Sequence, residues 1–201
     1  MTEAKFSSRI LRRFVETASM QLGADQFNTV MALSQLPSEW AKTETFHKMD
    51  PATAAQAYAS LQSAMRTYFG RGARGALLRV GQRLWNHLLD DAALGGKAQA
   101  LVIKGLPLSA RRKSTLELLG RFLSAHSGDI TVHTLDLDLL LVDNASPATV
   151  GHQSASPICF VTQGLIRESL FWSTGQNYDV EETSCKACGQ NACEFKITIG
   201  N

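Results

Sequence analysis

The chain has 201 residues, a formal net charge of +2 and a hydrophobic share of 44%. This length suffices for one well-cored domain, alone or with a helical extension. The nearly balanced charge argues against broad binding of nucleic-acid phosphates. No apolar run approaches the roughly 18 residues of a membrane span, and the charged N-terminus does not resemble a secretory signal. We therefore expect a cytoplasmic protein with no membrane span and no nucleic-acid partner.

The first quarter of the chain has the periodicity of helices. Apolar residues recur with helical spacing over Phe6–Ala18, with arginines on the other side, which predicts an amphipathic helix. A shorter helix is expected over Asp25–Leu36, followed by a connection over 39–49. We predict that residues 1–49 form a helical N-terminal extension, a candidate for dimerisation, in front of a ligand-binding domain at residues 50–201.

A third helix is indicated by Asp50-Pro51, an N-cap acceptor followed by proline at the first helical position. The glycines of Gly70-Arg-Gly-Ala-Arg-Gly75 then match the dinucleotide-binding spacing G-x-G-x-x-G. That fingerprint requires a preceding strand, whereas this segment follows a helical pattern. We interpret it as a break between two helices.

The middle of the chain mixes two periods. A strongly apolar helix is expected over Ala76–Leu89, and Gly95-Gly96 is expected to break the chain. Ala98–Ile103 is predicted to be a strand, and Ser109 to cap the next helix. From Ile130 to Val142, apolar and polar residues alternate before an apolar run, which predicts a further strand.

The C-terminal part predicts a helix and a closing hairpin. A polar loop, Ser146–Pro157, leads to a helix over Cys159–Ser173, which Gly175 terminates. Two β-prone runs follow, Val180–Thr183 and Phe195–Ile199. With the helical N-terminal half, this order predicts an α+β fold in which an antiparallel sheet packs against several helices.

The hairpin is rich in cysteine. Cys185, Cys188 and Cys193 lie within nine residues, Glu182 lies three positions before them, and the fourth cysteine is Cys159. Without an export signal, clustered cysteines favour metal binding or redox chemistry over disulfides. Two strands joined by a cysteine-bearing loop would bring thiolates and a carboxylate together, as a closed tetrahedral zinc site requires.

The spacing of these residues resembles the signature of the 4-vinyl-reductase domain family. The residues that carry the resemblance are Cys159-x₄-Gly164, then Gly175, then Glu182-x₂-Cys185-x₃-Gly189-x₃-Cys193-x-Phe195. The family includes a protein of bacteriochlorophyll biosynthesis, phenol-sensor domains of bacterial transcription activators and archaeal hydrocarbon-binding proteins, and it is related to transport-particle subunits. The resemblance covers Cys159–Ile197 and implies a Zn²⁺ ion held by Cys159, Glu182, Cys185 and Cys193, which ties the hairpin to the preceding helix.

Two positions depart from this signature. Glu168 occupies a position where the family often has a second glycine, and Cys188 is an added thiol. Cys185 and Cys188 alone would be typical of a redox or zinc-knuckle pair. Three alternatives to the four-ligand zinc site stay open: Cys188 in place of Glu182, an iron–sulfur cluster, and four reduced cysteines with Glu182 on the surface.

The expected function combines the resemblance with the motifs that the sequence lacks. We find no helix-turn-helix, P-loop or nucleophile elbow, and no catalytic set. The resemblance implies a binding protein for a hydrophobic or aromatic ligand. The leading ligand is a tetrapyrrole intermediate of (bacterio)chlorophyll biosynthesis, carried to a biosynthetic enzyme.

Two other functions stay open. One is a pigment vinyl-group reductase, although no nicotinamide or flavin site is visible. The other is a ligand-sensing or scaffold subunit that acts through protein partners. The family's pairing through helices implies a homodimer.

Overall fold

The computed structural model describes residues 5–41, 45 and 49–200. Within them lie seven α-helices and four β-strands. The helices are α1 (Ser8–Leu22), α2 (Ala24–Leu33), α3 (Pro51–Phe69), α4 (Ala73–Asp90), α5 (Leu94–Gly105), α6 (Leu108–Leu123) and α7 (Phe160–Thr174). The strands are β1 (Ile130–Leu135), β2 (Asp138–Asp143), β3 (Asp179–Ser184) and β4 (Cys193–Thr198). None of the described helices has both the length and the apolar character of a bilayer span.

The four strands form one antiparallel sheet in the order β1-β2-β4-β3. The central pair is formed by β2 and β4, where Leu141 lies opposite Phe195. Helix α6 packs on β1 and helix α7 on β3. The α+β class and the antiparallel sheet are therefore confirmed, and the closing hairpin becomes one half of the sheet.

Helices α4 and α7 cross at two glycines. A Cβ atom added at Gly81 would overlap the carbonyl oxygen of Val161, and one added at Gly164 would overlap the carbonyl oxygen of Leu78. The two backbones therefore touch with no side chain between them. The sequence signature contains Gly164, and the crossing explains why a glycine is required there.

One hydrophobic core runs from α1 to the hairpin and includes Phe14, Trp85 and Phe195, all fully buried. Helix α1 packs against α3 and α4, so its apolar face is covered within the chain. The division of the chain after residue 49 and the use of the N-terminal helices in dimerisation both stay predictions.

Two predicted features of the helical half are confirmed. The Asp50 carboxylate caps α3 and accepts hydrogen bonds from the backbone N–H groups of Ala52 and Thr53 at 3.1 and 3.0 Å. Gly70–Gly72 forms a short 3₁₀ turn between α3 and α4, as the helix-break interpretation requires. Much of the predicted connection over 39–49 lies outside the described residues.

The predicted strand at Ala98–Ile103 is wrong, because this segment belongs to α5. Gly95 and Gly96 do not break the chain but lie in the first turn of that helix. Helix α5 carries large apolar residues on its solvent side as well as on its buried side. This distribution removes the helical period from the sequence and leaves an apolar run that looks like a buried strand.

The single strand predicted over Ile130–Val142 is two strands. A two-residue turn at Asp136-Leu137 joins β1 to β2, and Asp136 adopts a left-handed conformation with φ of 52°. Asparagine and aspartate tolerate this conformation better than other non-glycine residues do. The turn was missed because Leu135 to Asp138 continue the alternation of apolar and polar residues through it.

Candidate metal centre

Cys159 stands immediately before α7, at the N-cap position. Its backbone carbonyl accepts the hydrogen bond of Gln163 N–H at 3.0 Å, and so starts the helix. Its own N–H group donates to Glu182 Oε2 at 2.8 Å. The start of α7 is thereby fixed to strand β3.

Glu182 points into the protein because the alternation of β3 places it on the same face as the buried Val180. Its side chain is 8% exposed, and Oε1 has no hydrogen-bond partner. A buried carboxylate oxygen without a partner is costly. A bound cation would remove that cost.

The hairpin loop supplies the two remaining sulfur atoms. Cys185 follows β3 and begins a short 3₁₀ turn, in which Cys188 N–H donates to its carbonyl at 2.9 Å. Gly189 then reverses the chain with φ of 86°, a conformation that favours glycine. Cys193 begins β4, and its Sγ accepts a hydrogen bond from Lys186 N–H at 3.4 Å.

These elements bring Cys159, Glu182, Cys185 and Cys193 together, with their ligand atoms within 4.8 Å of one another. All four residues are buried, all four cysteines of the chain are free, and Cys159 Sγ lies 3.5 Å from Cys193 Sγ. Tetrahedral coordination at Zn–S bonds of about 2.3 Å requires sulfur–sulfur separations of about 3.8 Å. The cluster has the size and donor set of a metal site.

The pKa values of the cluster show groups that compete for few protons. Burial raises the pKa of Glu182 to about 8. Hydrogen bonds with Cys185 and Cys193 raise the pKa of the Cys159 thiol, and the same bonds to Cys159 and Cys193 lower that of Cys185. On α3, burial lowers the pKa of Arg66, while negative charge on Cys159 and Cys185 opposes that decrease. Arg66 is therefore within electrostatic range of the cluster.

Cys188 does not belong to this group of four. It is half-exposed and lines an open groove beside His152 and Lys186. The alternative with four reduced cysteines and Glu182 on the surface is wrong about Glu182, which is buried.

The loop after β2 adds a contact that sequence reasoning missed. Asp143 is buried and accepts hydrogen bonds from the N–H groups of Ala145 and Ser146 at 3.1 and 2.7 Å. Burial raises its pKa to about 6. The turn places Ser146 Oγ 3.5 Å from Cys159 Sγ. An aspartate before a serine predicts such a turn, but nothing in the sequence relates it to Cys159.

A cavity of about 380 Å³ lies outside the cluster, between α1, α4, α5 and α6. Its apolar wall includes Ile10, Leu88, Leu118 and Phe122, and Arg9, Arg13, Asp91 and Arg121 also line it. Arg13 crosses from α1 to Asp91, with Nε–Oδ2 and Nη2–Oδ1 distances of 2.7 and 2.5 Å. This ion pair fixes one side of the cavity.

A comparison with family models tests the resemblance. Residues 142–199 match the model of the 4-vinyl-reductase domain. The resemblance to that family is confirmed. The matched stretch, called the 4-vinyl-reductase segment below, contains the four residues of the cluster, the Asp143 turn and the hairpin. No curated protein sequence matches the chain.

Solved structures share the fold at low sequence identity. An H-NOX protein from S. oneidensis in the Fe(II)NO ligation state has a TM-score of 0.57 at 14% identity, over 97% of this chain and 99% of that one. A trafficking protein particle complex subunit 3 from Naegleria fowleri, covalently bound to palmitic acid, has a TM-score of 0.53 at 14% identity, over 74% and 94%. The phenol-responsive sensory domain of the transcription activator PoxR, with phenol, has a TM-score of 0.50 at 15% identity, over 70% and 73%.

Proposed function

We propose that this chain is a zinc-containing protein that binds a small hydrophobic or aromatic molecule in the cavity between α1, α4, α5 and α6. The cavity carries the proposal, because its volume of about 380 Å³ falls within the usual range of ligand pockets, roughly 300–1,000 Å³. The 4-vinyl-reductase segment supports it, as does the fold shared with a phenol-responsive sensory domain.

Zinc is the metal that the donor set favours. Three thiolates and one carboxylate are usual zinc ligands, whereas iron–sulfur clusters are typically held by cysteines alone or by two cysteines and two histidines. Four protein ligands leave no open position for a catalytic water, so the ion would be structural. Cys159, Glu182, Cys185 and Cys193 would hold it, and Arg66 would offset part of the excess negative charge.

The cavity restricts the ligand. A cavity of roughly 150 Å³ suffices for benzene, so about 380 Å³ would hold a molecule of one or two rings. A tetrapyrrole intermediate of chlorophyll biosynthesis, our leading candidate for a carried ligand, would enter only by one edge unless the helices separate. The arginines that line the cavity favour a ligand with an acidic group.

Elemental analysis of the purified protein tests the metal. We expect one zinc per chain in the wild type and in Cys188→Ser, and loss of the metal in Cys193→Ser. One zinc per chain that persists in Cys193→Ser but is lost in Cys188→Ser would contradict the assignment of ligands. Iron with a visible charge-transfer band would replace zinc with a cluster.

Fluorescence titration tests the pocket with simple phenols, naphthoic acids and porphyrins as probes. Gln99→Trp places a bulky group in the cavity and should abolish binding. Lys97→Trp, on the same helix but outside the cavity lining, should leave it unchanged. No saturable binding of any probe class, or equal binding by both variants, would contradict the proposed site. Pigment turnover with NADPH would support the reductase alternative.

Ligand sensing is the second candidate function, and the likeness to the phenol-responsive sensory domain favours it. A sensing subunit would pass ligand occupancy to a partner, whereas a carrier would release its ligand to an enzyme. We also propose a cytoplasmic location and a homodimer. Sedimentation with and without ligand tests whether the assembly responds to occupancy, which a carrier does not require.

A further inference from the structure

The outer face of α5 is apolar and exposed. Leu94, Leu101 and Val102 are 88%, 75% and 64% exposed. They lie on the side of the helix opposite Ala100 and Ile103, which are buried against the rest of the protein. A helix of 12 residues is about 18 Å long, so these side chains form a continuous apolar strip.

Cations surround this strip. Residues 92–116 contain no aspartate or glutamate but hold five lysines and arginines: Lys97, Lys104, Arg111, Arg112 and Lys113. No carboxylate in the described residues forms an ion pair with any of the five. Lys97 and Lys104 follow one flank of α5, and Lys113 is exposed near the start of α6.

Arg111 has a structural role within this segment. It donates hydrogen bonds to the carbonyl of Leu106, at 3.2 and 2.9 Å, and to the carbonyl of Ser173 at 3.2 Å. These bonds fix the α5–α6 connection to the end of α7. Lys104 adds a contact to the same helix, since its Nζ lies 4.7 Å from the centroid of the Trp172 ring. The apolar strip and its lysines are therefore held on an ordered support.

We propose that the α5 face, defined as Leu94, Lys97, Leu101, Val102, Lys104 and Lys113, docks on the surface of an anionic lipid bilayer. An amphipathic helix with large apolar side chains and flanking lysines is the usual form of an interfacial membrane anchor. Each cation near an anionic surface strengthens binding about fivefold. The docking is peripheral and reversible, because a single short strip buries little apolar area.

A second copy of the chain is a poorer occupant. A two-fold interface through this face would bring the cations of both copies together, since such an interface uses the same patch twice. Like charges that face each other weaken association. A bilayer of anionic lipids instead complements the lysines with headgroups and the strip with acyl chains. This inference does not depend on the proposed ligand or on zinc.

Vesicle co-sedimentation of the full chain tests the proposal, with phosphatidylcholine vesicles that either contain or lack phosphatidylserine. We expect binding to the anionic vesicles alone, weakened by added salt. The double variant Leu101→Ser/Val102→Ser should bind at least tenfold more weakly. Lys97→Ala/Lys113→Ala should bind about 25-fold more weakly, since each lysine contributes about fivefold.

Matched controls lie elsewhere on the surface. Leu137 is as exposed as Leu101, at 75%, but lies in the β1–β2 turn, so Leu137→Ser should bind as the wild type does. Arg74→Ala on α4 serves the same purpose for charge. Absence of binding to anionic vesicles, or equal losses in Leu101→Ser/Val102→Ser and Leu137→Ser, would overturn the proposal. Binding of polyglutamate that needs the lysines but not Leu101, without vesicle binding, would assign the face to an acidic protein instead.

Discussion

The two ends of α7 show opposite uses of cysteine-free and cysteine-rich sequence. At its start, the 4-vinyl-reductase segment collects four metal-ligating side chains in a buried site with short contacts. Beside its end, the α5–α6 corner presents apolar and cationic side chains to solvent and borders an open cavity. Stability should therefore be concentrated in the 4-vinyl-reductase segment, and binding to other molecules at the α5–α6 corner.

Metal removal is the strongest way to break this contrast. Cys193→Ser should lower the free energy of unfolding by several kcal/mol, because structural zinc binding contributes directly to folding. Cys188→Ser in the same loop should change it by less than about 1 kcal/mol. Denaturant titration of both variants measures the difference. Equal, small effects would show that the cluster carries no structural metal.

The glycine crossing should give the next largest effect. Gly164→Ala forces a methyl group onto the backbone of α4, and overpacking of this kind costs about 3 kcal/mol or more where backbone must move. Gly75→Ala, in α4 but with only the end of Arg79 nearby, should stabilise the protein by up to about 1 kcal/mol. Thermal unfolding of the pair checks this prediction. A neutral Gly164→Ala would contradict the close contact.

The ion pair between Arg13 and Asp91 predicts a dependence on pH. Hydrogen bonds from Arg13 lower the pKa of Asp91 to about 2, so its folded value lies below its unfolded value. The pair therefore stabilises the fold above about pH 4 and ceases to do so as the pH falls towards 2. Asp91→Asn should cost about 1–2 kcal/mol at pH 7. The difference between the variant and the wild type should vanish near pH 2, and a constant difference would contradict the assignment.

The smallest expected effect lies on the exposed strip of α5. Leu101→Ser removes an apolar side chain that is 75% exposed, so the free energy of unfolding should change by no more than about 0.5 kcal/mol. Chemical denaturation measures it. A loss above about 2 kcal/mol would mean that Leu101 is covered in solution, which would change the comparison between the two regions.

The sequence predicts the metal site better than it predicts the cavity. Glu182, Cys185 and Cys193 belong to one hairpin, so local spacing is enough to bring them together, and Cys159 is identified through the family signature. The cavity depends on how α1, α4, α5 and α6 pack, and no spacing along the chain determines that arrangement. The misassigned α5 has the same origin, because its exposed leucines resemble core residues when no neighbours are known.

The contact of Gly81 with Gly164 has a mechanical consequence. Helix α7 begins at Cys159, and α4 ends beside Asp91 on the rim of the cavity. Side chains between two helices usually act as a compliant cushion, in which a small shift can be absorbed by rotamer changes. Here the polypeptides bear directly on each other, so tilting one helix must carry the other with it. Strain introduced among the sulfur atoms would thus reach the far end of α4 with little attenuation.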